Sequence, residues 1–119
     1  MNTRRYCMAL DLKDDPELIA EYENYHLPEV IWPEIKPGIK ACNILQMDIF
    51  RAGNRLFMIM ETMEDFDLAR DFERMLQLPR QAEWAELMGR FQQSLPFAGP
   101  GVNWVLMDKI FGLDEVAGK

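Results

Sequence analysis

The run Ile39-Lys40-Ala41-Cys42-Asn43-Ile44-Leu45-Gln46-Met47-Asp48-Ile49-Phe50, then Arg51-Ala52-Gly53-Asn54, then Arg55-Leu56-Phe57-Met58-Ile59-Met60-Glu61, decides the fold. Two apolar segments flank a short Gly-Asn turn, the signature of a β-hairpin. Ile39, Ala41, Leu45, Met47 and Ile49 share one parity, which predicts a long strand over 39–50 and a return strand over 55–61. Both parities of the hairpin carry apolar residues, so both sheet faces need cover. Helices supply it on one side; a second copy of the chain is the simple solution on the other, making a homodimer the expected partner.

Working outward, Tyr6-Cys7-Met8-Ala9-Leu10-Asp11-Leu12 reads as a buried strand. Asp14-Asp15-Pro16-Glu17 then opens a helix, with an Asp cap, Pro in the first turn and acids at the positive end of the dipole. Leu18, Ile19, Tyr22 and Tyr25 or His26 give that helix one buried stripe. Leu27-Pro28 interrupts it, a short helical turn is expected over Glu29 to Ile35, and Pro37-Gly38 reads as a breaker. Downstream of the hairpin, Asp65 or Asp67 caps a helix running to about Leu76. Pro79 to Phe91 predicts another, with Trp84, Leu87, Met88 and Phe91 on one stripe. Pro96 to Gly101 is a loop, and Trp104-Val105-Leu106-Met107 with Ile110-Phe111 is the last strand. The order is β-α-β-β-α-β: an α+β, ferredoxin-like arrangement in a single domain over 1–119.

Composition narrows the function. Net charge is −7, from 13 basic and 20 acidic residues, a poor match for nucleic acid, which needs clustered Lys and Arg. The apolar stretches fall well short of the ~20 residues that span a bilayer, and Asp11 interrupts the start before a signal-peptide core is complete. Two cysteines, Cys7 and Cys42, are too few for a disulfide framework or a four-thiolate zinc site, which points to a reducing cytoplasm. No Gly-rich phosphate loop, nucleophile elbow or zinc spacing occurs, so no cofactor and no metal are expected.

The chain has one histidine, His26, four residues after Tyr22 and therefore on the same helix face. Opening a cyclic hemiacetal needs one group to deprotonate the anomeric hydroxyl and another to protonate the ring oxygen. An imidazole beside a second acid or base meets that need. A single histidine at a helix end is, on frequency, more often a dipole partner. Trp32-Pro33-Glu34 offers an indole to stack on a pyranose and a carboxylate for hydroxyls; core packing and solvation are the commoner fates. Glu83-Trp84 poses the same choice. The methionines suit core packing, and the acidic run from Glu61 to Asp67 lacks calcium-loop spacing.

Glu21-Tyr22-Glu23-Asn24-Tyr25-His26, then Ile31-Trp32-Pro33-Glu34-Ile35, resembles the EEY…H…IWPEL signature of L-rhamnose mutarotases. Asn54 to Glu61 is similar to the family's NLLFAMVE strand, and Gln81 to Met88 to its QRWWKYM helix. The likeness runs in order from Tyr6 to about Phe111. It implies a dimeric α+β barrel that interconverts the anomers of a 6-deoxyhexose, with His26 as proton donor and Tyr22 and Trp84 on the sugar. Trp32 and Glu34 match the signature and shape the pocket. Three departures stand out: two extra residues between His26 and Ile31, Asn43-Ile44 in place of Asn-Tyr, and Glu83 in place of the first Trp of a tandem pair. Proteins with this variant pattern look like L-fucose mutarotases, so both sugars stay open and Glu83 becomes a candidate hydroxyl partner. The rivals are a haem-binding monooxygenase on the same barrel, with His26 as ligand, and a non-catalytic ligand-binding dimer.

Overall fold

A computed structural model describes residues 2–114. Strand β1 (Thr3–Leu12) is followed by helix α1 (Pro16–Tyr25), whose start is built as its residues dictate. The Asp15 carboxylate accepts from the amides of Glu17 and Leu18, and Pro16 occupies the first turn where its missing N–H costs nothing.

Helix α2 (Ile35–Ala41) comes next, and here the sequence reading needs correcting. Pro37-Gly38 does not break the chain; both residues lie inside α2. Pro37 sits in the first turn, where backbone N–H groups have no intrahelical acceptor, so the ring removes no bond. Residues 39–41 are accordingly helical rather than extended. The stop comes at Asn43, whose φ of 66° is the left-handed conformation that ends helices and that asparagine tolerates.

Strands β2 (Ile44–Ala52) and β3 (Arg55–Met63) form the hairpin, joined by Gly53-Asn54. Gly53, at φ 60°, takes the left-handed position a tight primed turn requires. Asn54 then stitches the turn to β1: its side-chain amide donates to the Leu12 carbonyl and its own carbonyl accepts from the Leu12 amide. Helix α3 (Leu68–Leu76) is capped by Asp67, and α4 (Gln81–Gly89) follows Arg80, which holds a left-handed φ of 61°.

The final strand differs from expectation. It is two short pieces, β4 (Gln92–Gln93) and β5 (Val105–Leu106), both antiparallel to β1 and separated by the proline- and glycine-rich loop. Ile110 and Phe111 lie outside any strand and are largely exposed. The sheet order is β2-β3-β1-β4, with β5 also on β1, and every pairing is antiparallel.

Alternation along the strands sorts the two faces. Met8, Leu12, Leu56, Met58 and Met60 pack with Phe72 and Met75 of α3, Met88 of α4 and Tyr22 of α1. The opposite face presents Cys7, Phe57, Ile59 and Phe50, with Phe50 55% and Ile59 37% exposed. A charged pair lies within the sheet: Asp11, almost wholly buried, accepts Arg55 Nε at 2.8 Å and Nη2 at 3.3 Å across the β1–β3 register. The fold is α+β, ferredoxin-like, with helices on one face of an antiparallel sheet.

Candidate active site

The end of α1 sets the geometry. Tyr22 and His26 are one helical turn apart, and their rings lie 4.6 Å from centre to centre. The His26 Nδ1 is 2.7 Å from the Tyr22 carbonyl oxygen. A carbonyl only accepts, so Nδ1 carries the hydrogen and the neutral ring keeps its lone pair on Nε2. Burial holds the His26 pKa below its ordinary 6.5, against the opposing effect of that hydrogen bond. Burial likewise pushes the Tyr22 phenol above 10.0; Gln92 Nε2, donating to its oxygen at 3.5 Å, pulls weakly the other way. At neutral pH the pair is therefore an uncharged base beside a protonated phenol.

Both rings open onto a cavity of about 800 Å³, within the roughly 300–1,000 Å³ usual for small-molecule sites. Its floor is the sheet, with Met47, Ile49, Leu56 and Met58; α4 contributes Gln81, Trp84 and Met88; α1 contributes Tyr22, Glu23 and His26. Trp104, just before β5, and Gln92 of β4 also line it. At the rim, Arg51 of β2 pairs with Glu23 of α1 at 3.4 Å.

Of the residues singled out in the sequence, the cavity wall brings together Tyr22, His26 and Trp84. The Trp84 ring meets His26 at 5.5 Å, edge to face. Trp32, Glu34 and Glu83 are placed differently: none is on that wall. Trp32 stands behind Trp84, ring centres 5.2 Å apart and planes at 70°. Arg80 lies over the ring of Trp32, 3.9 Å from its centre, and Glu83 reaches the Arg80 guanidinium at 3.4 Å. A carboxylate, a guanidinium and two indoles thus form a file that backs the imidazole. Glu34 gives its backbone carbonyl to Gln81, and its Oε1 is buried with no hydrogen-bond partner among the described residues.

Gln81, Gln92 and Trp104 line the cavity without having been picked out beforehand. For Gln81 a signal existed: it lies three residues before Trp84 and seven before Met88, on one face of one helix. Its amide nests against Gly38, where a Cβ would collide with Nε2. Gly38→Ala is accordingly expected to destabilise the fold. Displacing that amide costs about 1–3 kcal/mol, more than the ~1 kcal/mol alanine gains in a helix. A thermal melt checks it, and a raised midpoint counts against the packing described.

An antiparallel α+β sheet roofed by helices over an aromatic and polar cavity, with an imidazole at its wall, is a ferredoxin-like fold with a site of small-molecule size. Comparison with known proteins gives the family. Residues 5–113 match the L-rhamnose mutarotase profile, and the chain belongs to that family of isomerases acting on sugars. An L-fucose mutarotase of Xanthomonas campestris pv. campestris is 43% identical over 115 residues, 97% of this chain and 92% of that one. A UPF0734 protein of Dictyostelium discoideum is 39% identical over 115 residues, covering 93% and 90%. Among solved structures, an L-rhamnose mutarotase of Formosa agariphila superposes with a TM-score of 0.62 at 21% identity, over 93% of this chain and 99% of that one. The tetracenomycin F2 cyclase of Streptomyces glaucescens gives 0.55 at 16%, over 92% and 97%; at these identities the likeness is one of fold.

Proposed function

We propose that this protein interconverts the α and β anomers of a 6-deoxyhexose, L-fucose or L-rhamnose, by acid–base catalysis at His26. The observation that carries this is the tautomer: Nδ1–H is spent on the Tyr22 carbonyl, which leaves Nε2 as a base at the cavity wall. Nε2 takes the proton from the anomeric hydroxyl, the C1–O1 bond becomes a carbonyl, and the C1–ring-oxygen bond breaks. The imidazolium so formed returns that proton to the ring oxygen. Rotation about C1–C2 and the reverse sequence close the other anomer. Tyr22, still protonated, donates a hydrogen bond to an oxygen of the sugar. Trp84 supplies an apolar plate for a C–H face; Trp32 and, through Arg80, Glu83 back it, and Glu34 holds Gln81 of the wall through its main-chain carbonyl.

The protein works as a homodimer in the cytoplasm. The uncovered sheet face bearing Phe50, Phe57 and Ile59 supports the first, and the unpaired thiols of Cys7 and buried Cys42 support the second.

Saturation-transfer NMR on L-fucose, L-rhamnose and D-galactose tests the activity. Exchange between anomers faster than in buffer is expected for at least one deoxy sugar, and buffer rates for all three sink the proposal. The pH dependence follows from the lowered pKa of His26. The neutral imidazole is the active form, so the rate holds its plateau on the alkaline side and falls in acid with a midpoint below the ordinary 6.5, as the folded-state pKa is crossed. A rate–pH profile on the favoured sugar checks this; a midpoint above 6.5 contradicts it.

A further inference from the structure

Gln81 is 4% exposed and is one of the residues that line the cavity. Its Nε2 donates to two main-chain oxygens at the start of α2, Glu34 at 3.2 Å and Ile35 at 3.0 Å. Both acceptors are carbonyls, so the amide cannot be turned over without setting oxygen against oxygen. Gly38, without a side chain, leaves the room in which that nitrogen sits. The amide nitrogen is thereby engaged inside the protein.

The amide oxygen is left over. No group among the described residues donates to Gln81 Oε1, yet it is not a sealed, unpartnered atom; Glu34 Oε1 is the buried side-chain atom in that condition. An oxygen neither bonded nor sealed, on a side chain of the cavity wall, is placed to meet a ligand in the cavity. It stands one helical turn before Trp84, whose indole edges His26. An indole plate beside a fixed acceptor suits a pyranose, which offers a C–H face and, at its edge, hydroxyl donors.

We infer that Gln81 is a specificity-determining residue whose amide oxygen accepts a hydrogen bond from one ring hydroxyl of the bound sugar. The inference rests on the sugar-isomerase reading above and deepens it. Because the nitrogen is already engaged, the site presents an acceptor alone. It takes a hydroxyl, discriminates against a ring position lacking one, and repels a carboxylate there.

Binding, followed by tryptophan fluorescence on the full chain, separates this from the catalytic proposal. The sugar used is whichever of L-fucose and L-rhamnose binds more tightly, with its monodeoxy analogues at each remaining ring hydroxyl other than the anomeric one. One analogue is expected to bind the parent protein about tenfold more weakly, the size of one uncharged hydrogen bond. Gln81→Met should weaken the full sugar by a similar factor and bind that one analogue as the parent does. Uniform weakening of every sugar by Gln81→Met assigns the residue to support of α2 alone and overturns the inference. So does an analogue series that binds the parent protein without any single-position loss, a result that needs no variant to fold. Position-dependent binding without anomer exchange leaves the acceptor in place and removes the catalytic proposal; absence of binding by either sugar removes both.

Discussion

His26→Ala is expected to slow anomer exchange by about 10²–10⁴-fold while leaving sugar binding within a few-fold of the parent. The magnitude is that of a positioned acid–base group, and the chain has no other histidine to take over. Burial pushes the Tyr22 phenol upward, away from neutrality, and the neighbouring Gln81, Gln92 and Trp84 side chains do not titrate. The substitution is structurally mild. His26 is the residue that caps α1, its backbone amide bonds to the Glu23 carbonyl, and its imidazole bonds only to its own helix. Loss of activity through unfolding is thus separable by circular dichroism. Tyr22→Phe is the companion experiment. Removing the phenol oxygen while keeping the ring costs one hydrogen bond to the sugar, so a smaller effect than His26→Ala is expected. A His26→Ala protein that retains exchange within threefold ends the proposed mechanism.

Asp71→Ala is expected to be the costliest single change to the fold away from the cavity, at about 2–4 kcal/mol. Asp71 is fully buried on α3, yet it is charged and three groups converge on it. Oδ2 accepts from the Asp67 amide at 2.9 Å and from Arg70 Nη2 at 2.8 Å; Oδ1 meets Arg74 Nη2 at 3.1 Å. The Asp67 side chain accepts in turn from the Arg70 amide at 2.7 Å, so cap and reciprocal cap close the entrance of the helix. Hydrogen bonds to a charged group contribute about 1.5–3 kcal/mol, but Arg70 and Arg74 are half exposed and return to water, which trims the loss. The melting midpoint should fall by about 10 °C or more. The Arg70 hydrogen bond, then the Asp67 amide, hold the Asp71 carboxyl below the usual carboxylate range. A depressed carboxylate stabilises the fold at neutral pH, and that contribution fades as acid protonates it. Asp71→Asn should therefore flatten the acid limb of the stability curve below pH 4, and an unchanged limb would show that the charge plays no such part.

The parts of the fold legible in the sequence were those with local chemistry behind them. Asp15-Pro16 and Asp67 announce helix starts through their own hydrogen bonds, and Gly53-Asn54 announces the hairpin through its backbone geometry. Pro37-Gly38 misled because a proline reads as a stop unless the helix start is known to lie two residues before it. Asn43 carried the true stop. β4 is a pair of glutamines with no apolar alternation, recognisable as a strand only once β1 is alongside. In the candidate site, Tyr22 and His26 were legible together because helical spacing alone makes them neighbours. The placing of Trp32 behind Trp84 was not: it depends on how α4 approaches the segment before α2, which no spacing along the chain encodes, whereas Glu83 on Arg80 is an i, i+3 pair.

The imidazole, the carbonyl that fixes its tautomer and the adjoining phenol all belong to the final turn of α1, closed by the His26 and Leu27 amides on Glu23 and Asn24. Fraying of that turn would disarm proton acceptor and phenol in one event, however intact the sheet beneath. On the proposed mechanism turnover outlasts neither amide, so hydrogen–deuterium exchange at these two positions is expected to gauge how long the protein stays competent under heat or denaturant.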